Sequence, residues 1–262
     1  MSILLHRHYV PTAIRVVLIL LVLFPCGYAQ GAEPAGSTEM SADYARTAAK
    51  AGHFFNSGEW LNATAMYTLM LDARPEVTET YAHAIISDVM LEDTLAVTNL
   101  MEMSMRNNVS LDSLLSDIQQ ISTSMGVSHL YERILIMSKT HFPWLQRGMD
   151  SYLLKYYDFR DNGPEMVHYA TIMLRGLPES VEFRRILARG YMLCGDYENA
   201  VTTWRDILEQ NPGQIETLLD LGNYYVNAGE PDNAIPYLEH AYSLRPTPYL
   251  TALLKNMLPR RK

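Results

Sequence analysis

The stretch that decides the fold is residues 215–248, IETLLDLGNYYVNAGEPDNAIPYLEHAYSLRPTP. Its first half has a single helical face, formed at the spacing i, i+3, i+4 and i+7 by Leu218, Leu221, Gly222 and Tyr225. Gly229 ends this helix, because glycine takes the left-handed cap at little cost, and Pro231 suits the first turn of the next helix. Ala234 is small where the second helix crosses the first, and Pro246 stops it. The stretch therefore predicts a helical hairpin.

The same hairpin recurs along the chain. Prolines mark the period at positions 75, 143, 178, 212 and 246, with successive steps of 68, 35, 34 and 34 residues. Copies with the same apolar spacing occupy residues 44–77 and 181–214, and a recognisable copy with one extra residue occupies 147–180. A period of this length indicates an array of stacked supersecondary units instead of one globular core.

This pattern, with Leu-Gly-x-x-Tyr in the first helix, a small Ala in the second and a closing Pro, resembles the tetratricopeptide repeat family. The resemblance implies an all-α, right-handed α-solenoid of helix-turn-helix units. We expect about six hairpins over residues 44–248. Residues 249–262 are predicted to form an amphipathic capping helix and a basic tail, because a terminal unit must cover the last apolar face.

Residues 78–145 depart from the pattern. Their length suits two hairpins, but the turn at Glu92 and Asp93 lacks glycine and Val109 stands where a proline is expected. We predict helices in this region with irregular packing.

The first 29 residues are predicted to be a cleaved signal peptide. A basic front precedes an unbroken apolar run over residues 16–24, which is too short to span a bilayer, and small residues precede a cleavage point after Ala29. Two alternatives stay open, an uncleaved anchor and lipidation of Cys26, although Pro25 suits a lipidation site badly. Residues 30–43 are small and polar and are predicted to be a flexible lead-in.

The chain carries no recognisable catalytic or cofactor motif. HExxH, CxxC, GxSxG and glycine-rich phosphate loops are all missing from the sequence. The formal net charge of −8 argues against nucleic acid as a partner, because phosphate binding requires a basic surface. We therefore expect no enzymatic activity, no metal and no cofactor.

The resemblance places a concave groove along the first helix of each hairpin, where proteins of this kind typically bind peptides. The positions predicted to face the groove are Tyr152, Lys155, Phe159, Arg185, Arg189, Met192, Asn223 and Asn227. Arg185 and Arg189 lie four residues apart and, with Lys155, are candidates for a basic strip that holds a carboxylate or a peptide backbone. They correspond in part to the Lys/Asn/Arg clamp of chaperone-tail-binding relatives. The alternative is that both arginines pair with acidic residues and tie neighbouring hairpins together.

These features predict a non-enzymatic scaffold or adaptor of a bacterial cell envelope, in the periplasm, that binds a protein or peptide segment in its groove. One alternative is an assembly factor anchored at the outer membrane through Cys26, and secretion is another destination. The other alternative is an accessory module that binds a glycan or small ligand, since Tyr152, Tyr156 and Tyr157 would suit stacking on a sugar.

Overall fold

The computed structural model describes residues 35–257. Within this range the chain forms thirteen α-helices and one short 3-10 turn, Pro143–Leu145, and no strand. The helices are α1 Ala35–Asn56, α2 Trp60–Ala73, α3 Thr78–Met90, α4 Thr94–Arg106, α5 Leu111–Ser124, α6 His129–His141, α7 Gln146–Phe159, α8 Gly163–Gly176, α9 Val181–Leu193, α10 Tyr197–Gln210, α11 Ile215–Asn227, α12 Pro231–Leu244 and α13 Pro248–Met257. The fold is all-α and repetitive, which confirms the predicted fold class.

The chain divides into two compact units, residues 1–42 and 43–262. Of the first unit the structure describes residues 35–42, which begin α1. The helix thus begins inside the segment 30–43 that the sequence predicts as a flexible lead-in, because Ala, Glu and Met after Pro34 favour helix. The predicted signal peptide, Cys26 and the basic tail at 260–262 lie outside the described residues.

The second unit consists of paired helices, and every first helix of a pair (α1, α3, α5, α7, α9 and α11) ends in the same way. In α11 the backbone N–H of Glu230 donates to the carbonyl of Tyr225 at 2.9 Å and that of Gly229 to Val226 at 3.1 Å. This pair of hydrogen bonds requires one residue in the left-handed conformation. Glycine supplies it at positions 58, 126, 195 and 229, with φ between 74° and 80°. Glu92 and Asp161 supply it in the other two turns, with φ of 61° and 54°.

Most second helices end where a proline follows. The residue before the proline takes φ between −146° and −137° after α2, α8, α10 and α12. Proline excludes helical backbone from the residue that precedes it, so each helix stops there. The closing prolines at 75, 178, 212 and 246 therefore act as the sequence predicts.

The predicted irregular region, residues 78–145, is helical throughout most of its length and packs differently from the rest. Helix α3 packs against α2, α4, α5 and α6, and α4 also packs against α6. As a result nine consecutive or nearly consecutive residues of α3, between Thr80 and Val89, are buried. From α7 onward each helix instead packs mainly against its neighbours in the chain.

The buried apolar residues form two clusters that meet in α9. The first extends from Ala51 to Phe183, and the second from Ala188 to Met257. Helix α13 closes the second cluster, because Leu250, Leu254 and Met257 are buried on it. The last pair of helices, α11 and α12, approaches most closely at Gly222, where an added Cβ would lie 2.6 Å from Leu238 Cδ2.

Candidate binding groove

All eight residues predicted to line a groove lie on three consecutive first helices. Tyr152, Lys155 and Phe159 are on α7, the middle three on α9 and the two asparagines on α11. Polar contacts join these helices to one another and to their neighbours. The Tyr152 hydroxyl donates to the carboxylate of Asp112 on α5, and the Tyr249 hydroxyl on α13 donates to Asn223 Oδ1 at 3.1 Å. Tyr152 and Asn223 thus connect adjacent hairpins.

The two arginines of α9 are engaged in ion pairs on opposite sides. Arg185 donates to Asp220 Oδ2 on α11 from Nε at 2.9 Å and from Nη2 at 2.7 Å. Arg189 donates to Asp158 Oδ1 on α7 at 2.6 Å and also pairs with Asp161. The alternative interpretation, in which the arginines tie hairpins together, therefore describes these contacts.

Both arginines predicted to form a basic strip are therefore already ion-paired. The two arginines face three carboxylates and line a cleft of about 200 Å³ together with Glu182. Burial raises the pKa of Asp220 and outweighs the lowering caused by Arg185. Sequence spacing placed the arginines correctly on one face of α9, but it did not show that Asp158 and Asp220 from other hairpins approach them.

Lys155 and Phe159 remain on the surface. Lys155 is exposed and makes no ion pair with a residue in the range 35–257, and the Phe159 side chain is 83% exposed. Burial and the hydrogen bond to Asp112 raise the pKa of Tyr152 to about 12, so this hydroxyl stays protonated and acts as a donor at neutral pH. Tyr156 and Tyr157 are buried, with 5% exposure each. A sugar cannot stack on these two rings, and the predicted tyrosine platform is therefore wrong.

A second cleft, of about 440 Å³, brings together two of the predicted residues. Met192 and Asn227 line it with Tyr197, Tyr224 and Ala228. The rings of Tyr197 and Tyr224 lie 5.9 Å apart, and Tyr197 is 53% exposed. This cleft lies where α9 ends, α10 begins and α11 ends. It combines an apolar wall with one side-chain amide, as ligand-binding clefts commonly do.

Tyr197, Tyr224 and Ala228 are the cleft residues that the sequence prediction missed. Tyr197 belongs to a second helix, whereas only first helices were expected to contribute. Tyr224 neighbours the buried Tyr225 and does not stand out by spacing. An aromatic residue directly after the capping Asp196 is the signal that points to an exposed ring at this turn.

Between residues 35 and 257 no three His, Cys, Asp or Glu side chains come together as metal ligands. None of the helices in the same range has both the length and the apolar content needed to cross a bilayer.

Comparison with known proteins identifies the repeat. Residues 215–248 match the family described as tetratricopeptide repeat. This stretch of the chain is therefore similar to one tetratricopeptide repeat. No curated protein sequence matches the chain.

Solved structures with a similar helical arrangement are distant. The C-terminal part of a TPR repeat-containing protein from Cytophaga hutchinsonii has 14% identity and a TM-score of 0.44, with 74% of this chain and 77% of that chain covered. A tetratricopeptide repeat protein from Parabacteroides merdae has 13% identity and a TM-score of 0.45, with coverages of 82% and 88%. YrrB, described as a TPR protein with an unusual peptide-binding site, has 15% identity and a TM-score of 0.32, with coverages of 79% and 88%.

Proposed function

We propose that this protein is a non-enzymatic interaction scaffold that binds an extended peptide segment of another protein along the first helices α7, α9 and α11. The observation that carries the proposal is the cleft between Met192, Tyr197, Tyr224 and Asn227. Its rings and the Met192 side chain suit a large apolar side chain, and the Asn227 amide can bond to a peptide backbone on either side of it.

The ion-paired arginines are not part of the proposed recognition site. Arg185 and Arg189 already neutralise Asp158, Asp161 and Asp220 across the hairpins, so capture of a free carboxylate would have to displace those contacts. An apolar anchor in the neighbouring cleft requires no such exchange. We therefore assign recognition to the cleft and to the exposed Phe159, and we assign the arginines the role of holding the first helices in register.

The test is selection of peptides from a phage-displayed random library on the full chain, followed by fluorescence anisotropy with the best peptide. We expect Tyr197→Ala to lower the affinity for that peptide by about ten-fold, because an aromatic anchor in a binding cleft commonly contributes at least about 1.4 kcal/mol to binding. Tyr242→Ala is the matched control, since Tyr242 is also a partly exposed tyrosine, at 36%, but lies on α12 away from the cleft. Equal affinities of both variants and the parent, or a library that yields no peptide, would refute the proposal.

We also propose that the chain works in a bacterial cell envelope after export, most simply in the periplasm. The support is the sequence of residues 1–29, with its basic front and short apolar run. Fractionation of expressing cells and N-terminal sequencing test this, with the mature chain expected to begin at Gln30. A chain that retains residue 1, or that incorporates labelled fatty acid at Cys26, would replace this proposal with the anchored alternative.

A further inference from the structure

A row of large apolar residues recurs along one edge of the array. Its members are Leu91, Met125, Phe159 and Leu193, and the spacing between successive members is 34 residues. Each is the last residue of a first helix or the residue directly after it, on α3, α5, α7 and α9. Phe159 is 83% exposed, and Leu91 and Leu193 are each 40% exposed. We call these four residues the rim row.

Contacts join the successive first helices that carry the rim row. Helices α3 and α5 pack together, and α5 and α7 are joined by the Tyr152–Asp112 hydrogen bond. Helices α7 and α9 are joined by Arg189 and Asp158, and each of α7 and α9 ends in a rim residue within a turn of this pair. The next position in the series, Asn227, lines the cleft of the proposed function. The rim row therefore runs into that cleft.

The edge that carries the rim row is also acidic. The turns that join each first helix to its second helix contain six acidic residues and one basic residue, which are Glu59, Glu92, Asp93, Asp161, Asp196, Glu230 and Arg160. Of the six, Asp161 is already paired with Arg189 of α9. The turns at the opposite edge are balanced, with two of each sign, Arg74, Glu76, Glu179 and Arg245. Among the turns, the excess of negative charge is thus confined to the edge that carries the rim row.

Helix capping explains part of this charge. Asp93 and Asp196 accept hydrogen bonds from the backbone N–H groups of Ala96 and Asn199, at 2.9 and 3.3 Å. It does not explain Glu92, which is exposed and has φ of 61°, a conformation that glycine adopts in four equivalent turns. A charged side chain therefore stands beside Leu91 at a position where the backbone conformation favours glycine.

We infer that the rim row docks an extended segment of a partner protein whose side chains alternate between large apolar residues and Lys or Arg. This inference rests on the proposed function and names the chemistry of its partner. Apolar residues of the segment cover the rim row and the cleft, which removes exposed hydrocarbon from water. Its basic residues lie over the acidic turns, where complementary charge favours this partner and repels acidic ones.

The experiment uses the peptides selected from the random library on the full chain. We expect them to carry more Lys and Arg than Asp and Glu. For the best peptide, a twin with Glu in place of every Lys and Arg should bind at least about ten-fold more weakly, and raising the salt from about 0.05 to 0.5 M should weaken the parent peptide but not an uncharged one.

Substitutions along the two edges provide the second measurement. Leu91→Ser with Leu193→Ser should weaken the best peptide by about five-fold or more. Leu177→Ser with Leu244→Ser, at leucines that are 47% and 45% exposed on the opposite edge, should leave its affinity within about two-fold. Phe159→Ser, at a side chain too exposed to affect folding, should act as the first pair does.

The outcomes separate this inference from the proposed function. The inference is overturned if the selected peptides require Tyr197 but are neutral or acidic. It is also overturned if they bind no better than their Glu twins. In both cases the proposed function of the cleft is retained. Equal effects of the substitutions on both edges also overturn the inference. A library that yields no peptide refutes the proposed function, and the inference falls with it.

Discussion

Helices α3–α6 and helices α9–α12 each make two hairpins, but they bury their first helices to different extents. In α3 nine residues are buried, whereas α9 buries Phe183, Ala188 and Gly190 alone. The reason is lateral packing, because α3 is enclosed by α5 and α6 as well as by its neighbours in the chain. A first helix that is enclosed on all sides cannot line an open groove. The comparison therefore supports the proposed groove on α7, α9 and α11. Helix α3 can contribute only its exposed C-terminal residue, Leu91, to a binding surface.

The two regions also end a second helix by different chemistry. Helix α10 ends at Gln210, and Asn211 follows it directly before Pro212. Helix α4 ends at Arg106 and is followed by Asn107. Asn108 then takes φ of 56°, and the backbone N–H of Val109 donates to the carbonyl of Ser104 at 2.9 Å. A proline at 109 has no N–H for this bond. Where the repeat lacks its proline, the helix thus ends in a different way. Val109 is buried there, and the turn at 107–110 stays short.

The largest effect is expected where the C-terminal region packs most tightly. Gly222→Ile should lower the free energy of unfolding by about 3 kcal/mol, because its Cβ would meet the buried Leu238 Cγ at 2.7 Å. Ile86 occupies the equivalent position of the irregular region, four repeats earlier, and is itself fully buried. Urea unfolding followed by circular dichroism measures the change.

The control for this prediction is Gly213→Ala, whose added Cβ has no neighbour closer than 3.9 Å. It should alter stability by less than about 0.5 kcal/mol. Adding Leu238→Ala to Gly222→Ile should recover part of the lost stability, because the smaller side chain at 238 makes room for the isoleucine. If Gly222→Ile is as stable as the parent, the close crossing of α11 and α12 is incorrect.

Val109→Pro should destabilise the chain by about 2 kcal/mol. The substitution removes the hydrogen bond to Ser104 and disfavours the backbone of Asn108. The reverse exchange, Pro212→Val, should cost less than about 1 kcal/mol, since it mainly restores freedom to the unfolded chain. Thermal or urea unfolding measures both changes. Equal losses of stability in the two variants would mean that α4 and α10 end by the same mechanism.

Asp88 makes the stability of the irregular region depend on pH. The Thr64 hydroxyl donates to Asp88 Oδ1 at 2.7 Å, yet burial raises the pKa of Asp88 in the folded chain. A folded pKa above the unfolded value means that protonation favours folding, so the contribution of Asp88 to stability falls as pH rises above the unfolded pKa.

Asp88→Asn keeps an acceptor for Thr64 and removes this charge. It should therefore raise the free energy of unfolding at pH 7, by about 1 kcal/mol. The advantage over the parent should shrink as the pH is lowered toward 4. Urea titrations of both chains at several pH values measure it, and an advantage that stays constant with pH would exclude Asp88 as the cause.

Glu92→Gly is expected to have the smallest effect, and it is stabilising. Replacing a glutamate at φ of 61° by glycine should raise stability by up to about 1 kcal/mol, because the left-handed conformation is unfavourable for a side chain with a Cβ. Gly229→Ala, at φ of 76° in the regular region, should lower stability by a similar amount. A loss of stability on Glu92→Gly would show that the Glu92 side chain makes a stabilising interaction.

The sequence by itself determined the repeat and its hairpins. Glycine and proline end the helices through local backbone preferences, and the spacing of apolar residues marks the packing face of each helix. Both features can be read without knowing how the hairpins pack. The same local logic identified α9 as carrying two arginines on one face. It also marked residues 78–145 as irregular, because the turn at Glu92 and Asp93 lacks glycine and Val109 stands where a proline is expected.

Tertiary structure alone decided the partners of those side chains. Asp220 reaches Arg185 from 35 residues away, and Asp158 reaches Arg189 from 31 residues away. The enclosure of α3 and the pairing of Tyr197 with Tyr224 likewise depend on how whole hairpins stack. Stacking sums many weak contacts between large surfaces, and no single residue spacing encodes it. The helices were therefore predictable from the sequence, whereas the charge of the groove and the cleft at its end were not.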